Sequence, residues 1–157
     1  MNHTTPHFIS IAVRDFNILG GRLLVLFDGN CGLCNRSVRW LLRRDRNDRL
    51  RFTPSSSPTG ADAMAKHGLD PASTPGSVMV VEVAGTPAER LVSHSDAVLM
   101  LLAQLPAPWP ALAALGRLIP RALRDVAYRA VARWRYRIWG RLETCPIPTA
   151  EERRRFL

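Results

Sequence analysis

The sequence predicts one α/β domain with the element order βαβαββα, followed by a helical C-terminal extension. Three observations predict it. A continuous apolar run of strand length is followed at once by a helical pattern, further short apolar runs alternate with a second helical segment, and the pattern is helical only from residue 96 onward. The length of 157 residues fits one domain with a sizeable core.

The predicted strands are short apolar runs bounded by turn residues. The first, residues 22–27, is apolar without alternation, which is typical of a strand covered on both faces. It ends at the turn sequence Asp28-Gly29-Asn30. The remaining predicted strands cover residues 49–53, 77–83 and 89–92.

The predicted helices follow from apolar residues at helical spacing. The first begins after Asn30, a suitable N-cap, and its apolar stripe consists of Cys34, Val38, Leu41 and Leu42. A loop at residues 54–60 precedes the second helix. The later helices are delimited by proline and glycine residues. The helices after the first are predicted at residues 61–67, 96–105, 111–118 and 120–139.

The chain is predicted to contain an arm, a core and an extension packed on the same domain. A stretch of twenty uncharged residues, 97–116, has the length of a membrane-spanning helix, but Pro106, Pro108 and Pro110 interrupt it. Two short helices are therefore expected there. We recognise no secretory signal near Met1, which favours a cytoplasmic location. The predicted parts are residues 1–21, 22–105 and 106–157.

Cys31 and Cys34 are the candidate catalytic residues. A C-x-x-C spacing at the start of a helix places both sulfurs on one side, one turn apart, which is near enough for a disulfide bond. Because a helix N-terminus stabilises a thiolate, Cys31 is predicted to be the solvent-accessible, attacking sulfur. Cys34 lies on the apolar stripe and is predicted to be more buried and to resolve the mixed disulfide. A C-x-x-C after a strand in a βαβ pattern is typical of redox proteins.

The sequence from Asp28 to Cys34, an Asp-x-x-Cys-x-x-Cys motif after an apolar strand, resembles the DCC family of thiol–disulfide oxidoreductases. The resemblance extends over residues 22–157. It implies a thioredoxin-like domain with a helical C-terminal extension, Cys31 and Cys34 as the redox pair, and Asp28 as part of the motif. Further matching segments are Val38-Arg39-Trp40-Leu41, Arg43-Arg44-Asp45, Ser95-Asp96-Ala97-Val98, Ile119-Pro120-Arg121, Tyr128-Arg129, Arg135-Tyr136-Arg137 and Arg155-Phe156-Leu157.

The roles of three further residues are open to two interpretations each. Asp28 is either a base that deprotonates a cysteine or a turn residue that bonds to its own backbone. Cys145 is interpreted as a buried structural cysteine in preference to a third redox or metal-binding sulfur. Pro75 is interpreted as a trans turn proline in preference to a cis-proline facing the cysteines.

The cysteines and histidines do not predict a metal site. A zinc site would have to combine the pair with Cys145 and one histidine, and the spacing is not that of known zinc ligand sets. The four candidate histidines are His3, His7, His67 and His94.

The favoured function is thiol–disulfide exchange with a protein or low-molecular-weight disulfide, cycling through a redox-active disulfide and requiring no cofactor. The alternative is a non-enzymatic interaction module, in which an Arg-rich C-terminal helix contacts an anionic membrane or protein and the cysteines pack or bind metal. The net charge of +9 favours anionic partners. Trp134 is assigned to a buried stripe, which leaves too few exposed aromatics for nucleic-acid binding. The residues of this stripe are Leu123, Ala127, Ala130, Trp134 and Ile138.

Overall fold

The computed structural model describes residues 21–70, 77–82, 88–143 and 148–157. Its elements follow the predicted order, with two helices and a short 3₁₀ helix after the βαβαββα unit. They are β1 (Leu23–Phe27), α1 (Gly32–Arg44), β2 (Leu50–Pro54), α2 (Pro58–Lys66), β3 (Met79–Glu82), β4 (Arg90–Ser93), α3 (His94–Gln104), α4 (Trp109–Leu118), α5 (Arg121–Trp139) and the 3₁₀ helix Glu152–Arg155.

The element boundaries agree with the prediction to within two residues except at α2. This helix begins at Pro58, inside the predicted loop 54–60, because Ser57 caps it: the Ser57 hydroxyl accepts a hydrogen bond from the Gly60 N–H at 3.0 Å. The uncharged stretch 97–116 forms α3 and α4, as predicted. Among the described residues, no helix has the length and hydropathy needed to span a bilayer.

The four strands form one mixed sheet in the order β2-β1-β3-β4. β1 pairs in parallel with β2 and antiparallel with β3, and β3 pairs antiparallel with β4. β1 is therefore an interior strand with neighbours on both sides, and its residues are all buried. This position explains its continuous apolar sequence. The mixed sheet and its helices are consistent with a thioredoxin-like fold.

Alternate residues of β1 serve two different cores. Val25 and Phe27 pack with residues of α1 and α3, including Val38 and Leu101, on what we call the α1 face of the sheet. Leu24 and Leu26 belong to the other core, which we call the α2 face. That core also contains Ala63, Met64, Met79 and Val81, with Leu69, Leu91 and Leu157 packed against it.

The predicted buried stripe of α5 is wrong. Leu123, Trp134 and Ile138 are 62%, 49% and 63% exposed. Ala127 and Ala130 are exposed as well. The opposite side of the helix packs on the domain instead, because its polar side chains find hydrogen-bond partners there. These partners are Ser95 and Asp96 of α3 and Asp28, which precedes α1. The α5 residues on this packed side include Arg124, Asp125, Tyr128, Ala132 and Arg135.

Candidate active site

The two cysteines lie in the first turn of α1, directly after β1 and its turn. Cys31 is the N-cap, so the prediction of Asn30 as the cap is wrong by one residue. The Cys31 Sγ accepts hydrogen bonds from the Cys34 backbone N–H at 3.2 Å and from the Cys34 S–H at 2.7 Å. Both cysteines are free thiols. The predicted proximity of the two sulfurs is confirmed, and a small side-chain movement would bring them to the ~2.05 Å of a disulfide bond.

The predicted order of burial is reversed. Cys31 is fully buried, whereas Cys34 is only partly buried. The cause is the chain that leaves α5, residues 140–142, which we call the strap. The strap lies against the Cys31 turn: the Gly32 N–H donates to the Gly140 carbonyl at 3.3 Å, and the Leu142 N–H donates to the Asn30 carbonyl at 2.7 Å.

Glycine at position 32 allows the end of α5 to approach this closely. A Cβ atom on residue 32 would collide with the carbonyl oxygen of Trp139. Cys31 and Arg141 also form an isolated antiparallel bridge. Residue 32 therefore has to be glycine for the strap to lie against the Cys31 turn and cover Cys31.

The surroundings of the pair disfavour the thiolate form of Cys34. Burial raises the pKa of the Cys34 thiol, and the hydrogen bond to Cys31, the charge of Cys31 and the carboxylate of Asp28 raise it further. The Arg135 guanidinium acts in the opposite direction. Cys34 is thus a thiol at neutral pH and a donor to Cys31. The Cys34 backbone N–H and the Cys34 S–H both donate to the Cys31 Sγ, so Cys31 is the acceptor of the pair.

Asp28 joins the cysteine turn to α5. One carboxylate oxygen accepts a hydrogen bond from the Asn30 N–H at 3.0 Å, as expected of an Asp that orders a turn. The other accepts a hydrogen bond from the Tyr136 hydroxyl and lies 3.5 Å from the Arg135 guanidinium. Burial, together with the hydrogen bond to Asp28, raises the pKa of Tyr136, so the hydroxyl keeps its proton at neutral pH.

From the sequence, no role in the site was predicted for Arg135 or Tyr136. They appear there only within Arg135-Tyr136-Arg137, one of the segments that match the DCC family. In the structure the Arg135 side chain is 8% exposed and its guanidinium lies 4.5 Å from the centre of the Tyr136 ring. The signal that could have found them is their helical spacing from Arg124, Tyr128 and Ala132, a stripe of mostly polar residues.

A cavity of about 600 Å³ opens beside Cys34, between α1, α3 and α5. Its walls are mainly apolar, and Cys34 lies in its lining while Cys31 does not. Arg135 reaches the same cavity from α5. Tyr128 lines it too, and its hydroxyl accepts a hydrogen bond from the Val78 N–H at 2.9 Å. A concave apolar site of this volume, with a few polar groups, is typical of small-molecule binding.

The remaining site predictions concern a proline, a third cysteine and a metal site. Pro75 and Cys145 lie outside the described residues. Within the described ranges, no group of three or more His, Cys, Asp or Glu side chains has the arrangement of a metal site. Of the candidate histidines, His67 lies 3.1 Å from a carboxylate oxygen of Glu89, and His94 contacts Ser93.

Comparison with known families gives the same family as the Asp-x-x-Cys-x-x-Cys motif. The family model for DCC1-like thiol-disulfide oxidoreductases matches residues 25–141, which include the motif and all of α5. The chain belongs to this family. Two relatives are similar over most of their length, and no solved structure matches.

The first relative is the uncharacterized protein YuxK of Bacillus subtilis (strain 168), which is 31% identical over 134 residues, covering 85% of this chain and 93% of YuxK. The second is a chloroplastic DCC family protein of Arabidopsis thaliana, 34% identical over 126 residues, covering 80% of this chain and 70% of that protein. Because one relative is chloroplastic, the cytoplasmic location stays a prediction.

Proposed function

We propose that this chain is an enzyme that exchanges electrons with protein or small-molecule disulfides through Cys31 and Cys34. The observation that carries the proposal is the 2.7 Å contact between the two sulfurs in the first turn of a helix, in a member of the DCC1-like family. Two electrons pass from the dithiol to a substrate R–S–S–R′. The substrate leaves as two thiols, and a Cys31–Cys34 disulfide forms.

Access supports an order in which Cys34 attacks first, and the raised pKa of Cys34 requires that its proton move away during the attack. Since the cavity reaches Cys34 and the strap covers Cys31, the mixed disulfide forms on Cys34. Cys31 first releases its own proton to solvent, and the Cys34 proton then passes to the Cys31 Sγ along their hydrogen bond as the Cys34 Sγ attacks the substrate and R′–S⁻ leaves. R′–S⁻ takes that proton from Cys31, and the Cys31 thiolate attacks the Cys34 Sγ and releases R–S⁻, which takes up a proton from solvent. This order differs from the sequence prediction, in which Cys31 attacks first.

The other side chains of the site position the pair. Asp28, held by Tyr136 and Arg135, fixes the turn that presents Cys31, and its charge favours the protonated form of Cys34. The Arg135 guanidinium favours the thiolate form of Cys34 instead. Its side chain also lies in the cavity wall. In this proposal Asp28 and Arg135 set the balance between the thiol and the thiolate of Cys34. The apolar part of the substrate occupies the cavity.

The test is to trap the intermediate with an aromatic disulfide. We expect the wild-type chain to reduce it continuously when a thiol reductant is supplied, and both Cys31→Ser and Cys34→Ser to fall to background. Cys31→Ser, which keeps an N-cap hydroxyl, is expected to accumulate a mixed disulfide on Cys34. Cys34→Ser is expected to form an adduct far more slowly. Peptide mass spectrometry identifies the modified cysteine.

Cys145→Ser is the control for the loss of a thiol as such, and we expect wild-type turnover from it. A wild-type chain that neither turns over nor forms a Cys31–Cys34 disulfide on oxidation would overturn the proposed function. Turnover accompanied by trapping on Cys31 alone would overturn only the order of the steps. In that case substrate would reach Cys31 by displacing the strap.

A further inference from the structure

The side of α5 that faces away from the domain is apolar and exposed. Leu123, Val126, Trp134 and Ile138 recur at helical spacing along it, and their exposed fractions are 62%, 56%, 49% and 63%. Single exposed apolar residues are normal on a protein surface, but a contiguous strip of them marks an interaction site. We call this strip the free face of α5.

The apolar surface continues before the helix begins. Leu118 and Ile119, at the junction of α4 and α5, are 79% and 46% exposed. Val131 borders the free face, is 48% exposed, and also lines the cavity beside Cys34. The free face therefore runs from the α4–α5 junction past the cavity wall to the last turn of α5.

A row of arginines flanks the free face on one side. Arg129, Arg133 and Arg137 are spaced by four residues and are all exposed. The Arg137 guanidinium lies 5.4 Å from the centre of the Trp134 ring, which joins the row to the apolar strip. The single acidic residue of α5, Asp125, is on the packed side and bonds to Ser95.

We propose that the free face of α5 binds the surface of an anionic lipid bilayer, with the helix lying in the plane of the interface. An exposed apolar strip bordered by cations and free of acids is the pattern of interfacial helices, in which apolar side chains enter the acyl boundary and cations contact headgroup phosphates. A second copy of this chain is a poorer occupant, because each copy carries a net charge of +9 and would present the same cations. The proposal does not depend on the redox chemistry of the cysteines.

Vesicle sedimentation with the full chain tests the proposal. The probes are phosphatidylcholine vesicles with and without phosphatidylglycerol, at low and high salt. We expect the wild type to sediment with the phosphatidylglycerol vesicles and to be released as salt rises. The apolar variant is Leu123→Gln/Trp134→Gln/Ile138→Gln, and the basic variant is Arg129→Gln/Arg133→Gln/Arg137→Gln. Each is expected to lower vesicle binding by about tenfold or more.

The matched control is Arg43→Gln/Arg46→Gln/Arg154→Gln, which removes the same charge from exposed sites elsewhere. We expect this control to bind within about twofold of the wild type, because charge away from the interface contributes little. All substituted side chains are exposed, and circular dichroism checks that each variant is folded. Three results would overturn the proposal: no wild-type binding at low salt, equal losses in the control and the basic variant, or self-association that the apolar variant abolishes.

Discussion

The two faces of the sheet are covered in different ways, although they share the same central strand. On the α2 face, Leu24 and Leu26 meet Ala63 and Met64, and all four side chains are at most 1% exposed. On the α1 face, Val25 and Phe27 line the cavity of about 600 Å³ that ends at Cys34. Protein interiors are normally packed to crystal density. We therefore expect the α2 face to respond to substitution as a packed core, and the α1 face to respond as the wall of a site.

Truncation of one leucine on each face gives the largest expected contrast. Leu24→Ala on the α2 face removes a fully buried side chain, and we expect it to lower the free energy of unfolding by about 2–5 kcal/mol. Leu102→Ala on the α1 face removes a partly buried side chain that already borders the cavity, so it loses fewer contacts. We expect Leu102→Ala to lower the free energy of unfolding by about 1–2 kcal/mol. Urea unfolding measures both, and equal losses would contradict the contrast.

Enlargement of one alanine on each face gives a smaller contrast. Ala63→Leu adds volume where no space is present, and we expect it to lower the free energy of unfolding by about 1–3 kcal/mol. Ala132→Leu adds the same atoms to the cavity wall. We expect nearly wild-type stability from it, together with slower reduction of an aromatic disulfide. Urea unfolding and the turnover assay provide the two measurements. A destabilised Ala132→Leu variant with unchanged turnover would argue against a substrate-binding cavity.

The sequence predicted the elements well because they depend on local patterns. The apolar run of β1, its Asp28 turn and the helix after it follow from residues within one short segment. The adjacency of Cys31 and Cys34 follows from their three-residue spacing in the first turn of a helix. These features were confirmed because no distant part of the chain was needed to create them.

The features that the sequence missed depend on residues far apart in the chain. Cys31 is buried because the strap returns to it from the end of α5, and local spacing contains no information on that return. Arg135 and Tyr136 reach Asp28 across more than a hundred residues. The predicted orientation of α5 was wrong for a related reason. Its apolar stripe is the more regular pattern in the sequence, but the polar side of the helix is the one that has hydrogen-bond partners in the domain.

The smallest expected effect concerns a polar contact at the edge of the α1 face. The hydrogen bond from the Ser95 hydroxyl lowers the pKa of Asp125, with the Ser95 N–H and the charges of Arg121 and His94 acting in the same direction. This contact joins α5 to α3. A carboxyl whose pKa is lower in the folded state contributes stability above its unfolded pKa of about 3.9, and that stability is lost as the pH falls through the folded value.

We expect Asp125→Asn to be slightly less stable than the wild type at neutral pH, with a difference that shrinks as the pH falls below about 4. Thermal unfolding from neutral to acidic pH measures this difference. Asp62→Asn, at an exposed position of α2, is the matched control, and its profile is expected to run parallel to that of the wild type. If the Asp125→Asn profile also runs parallel to the wild type, the carboxylate does not attach α5 to α3. The charged edge of the α1 face would then depend on Arg124 and Asp96, whose side chains lie 2.8 Å apart.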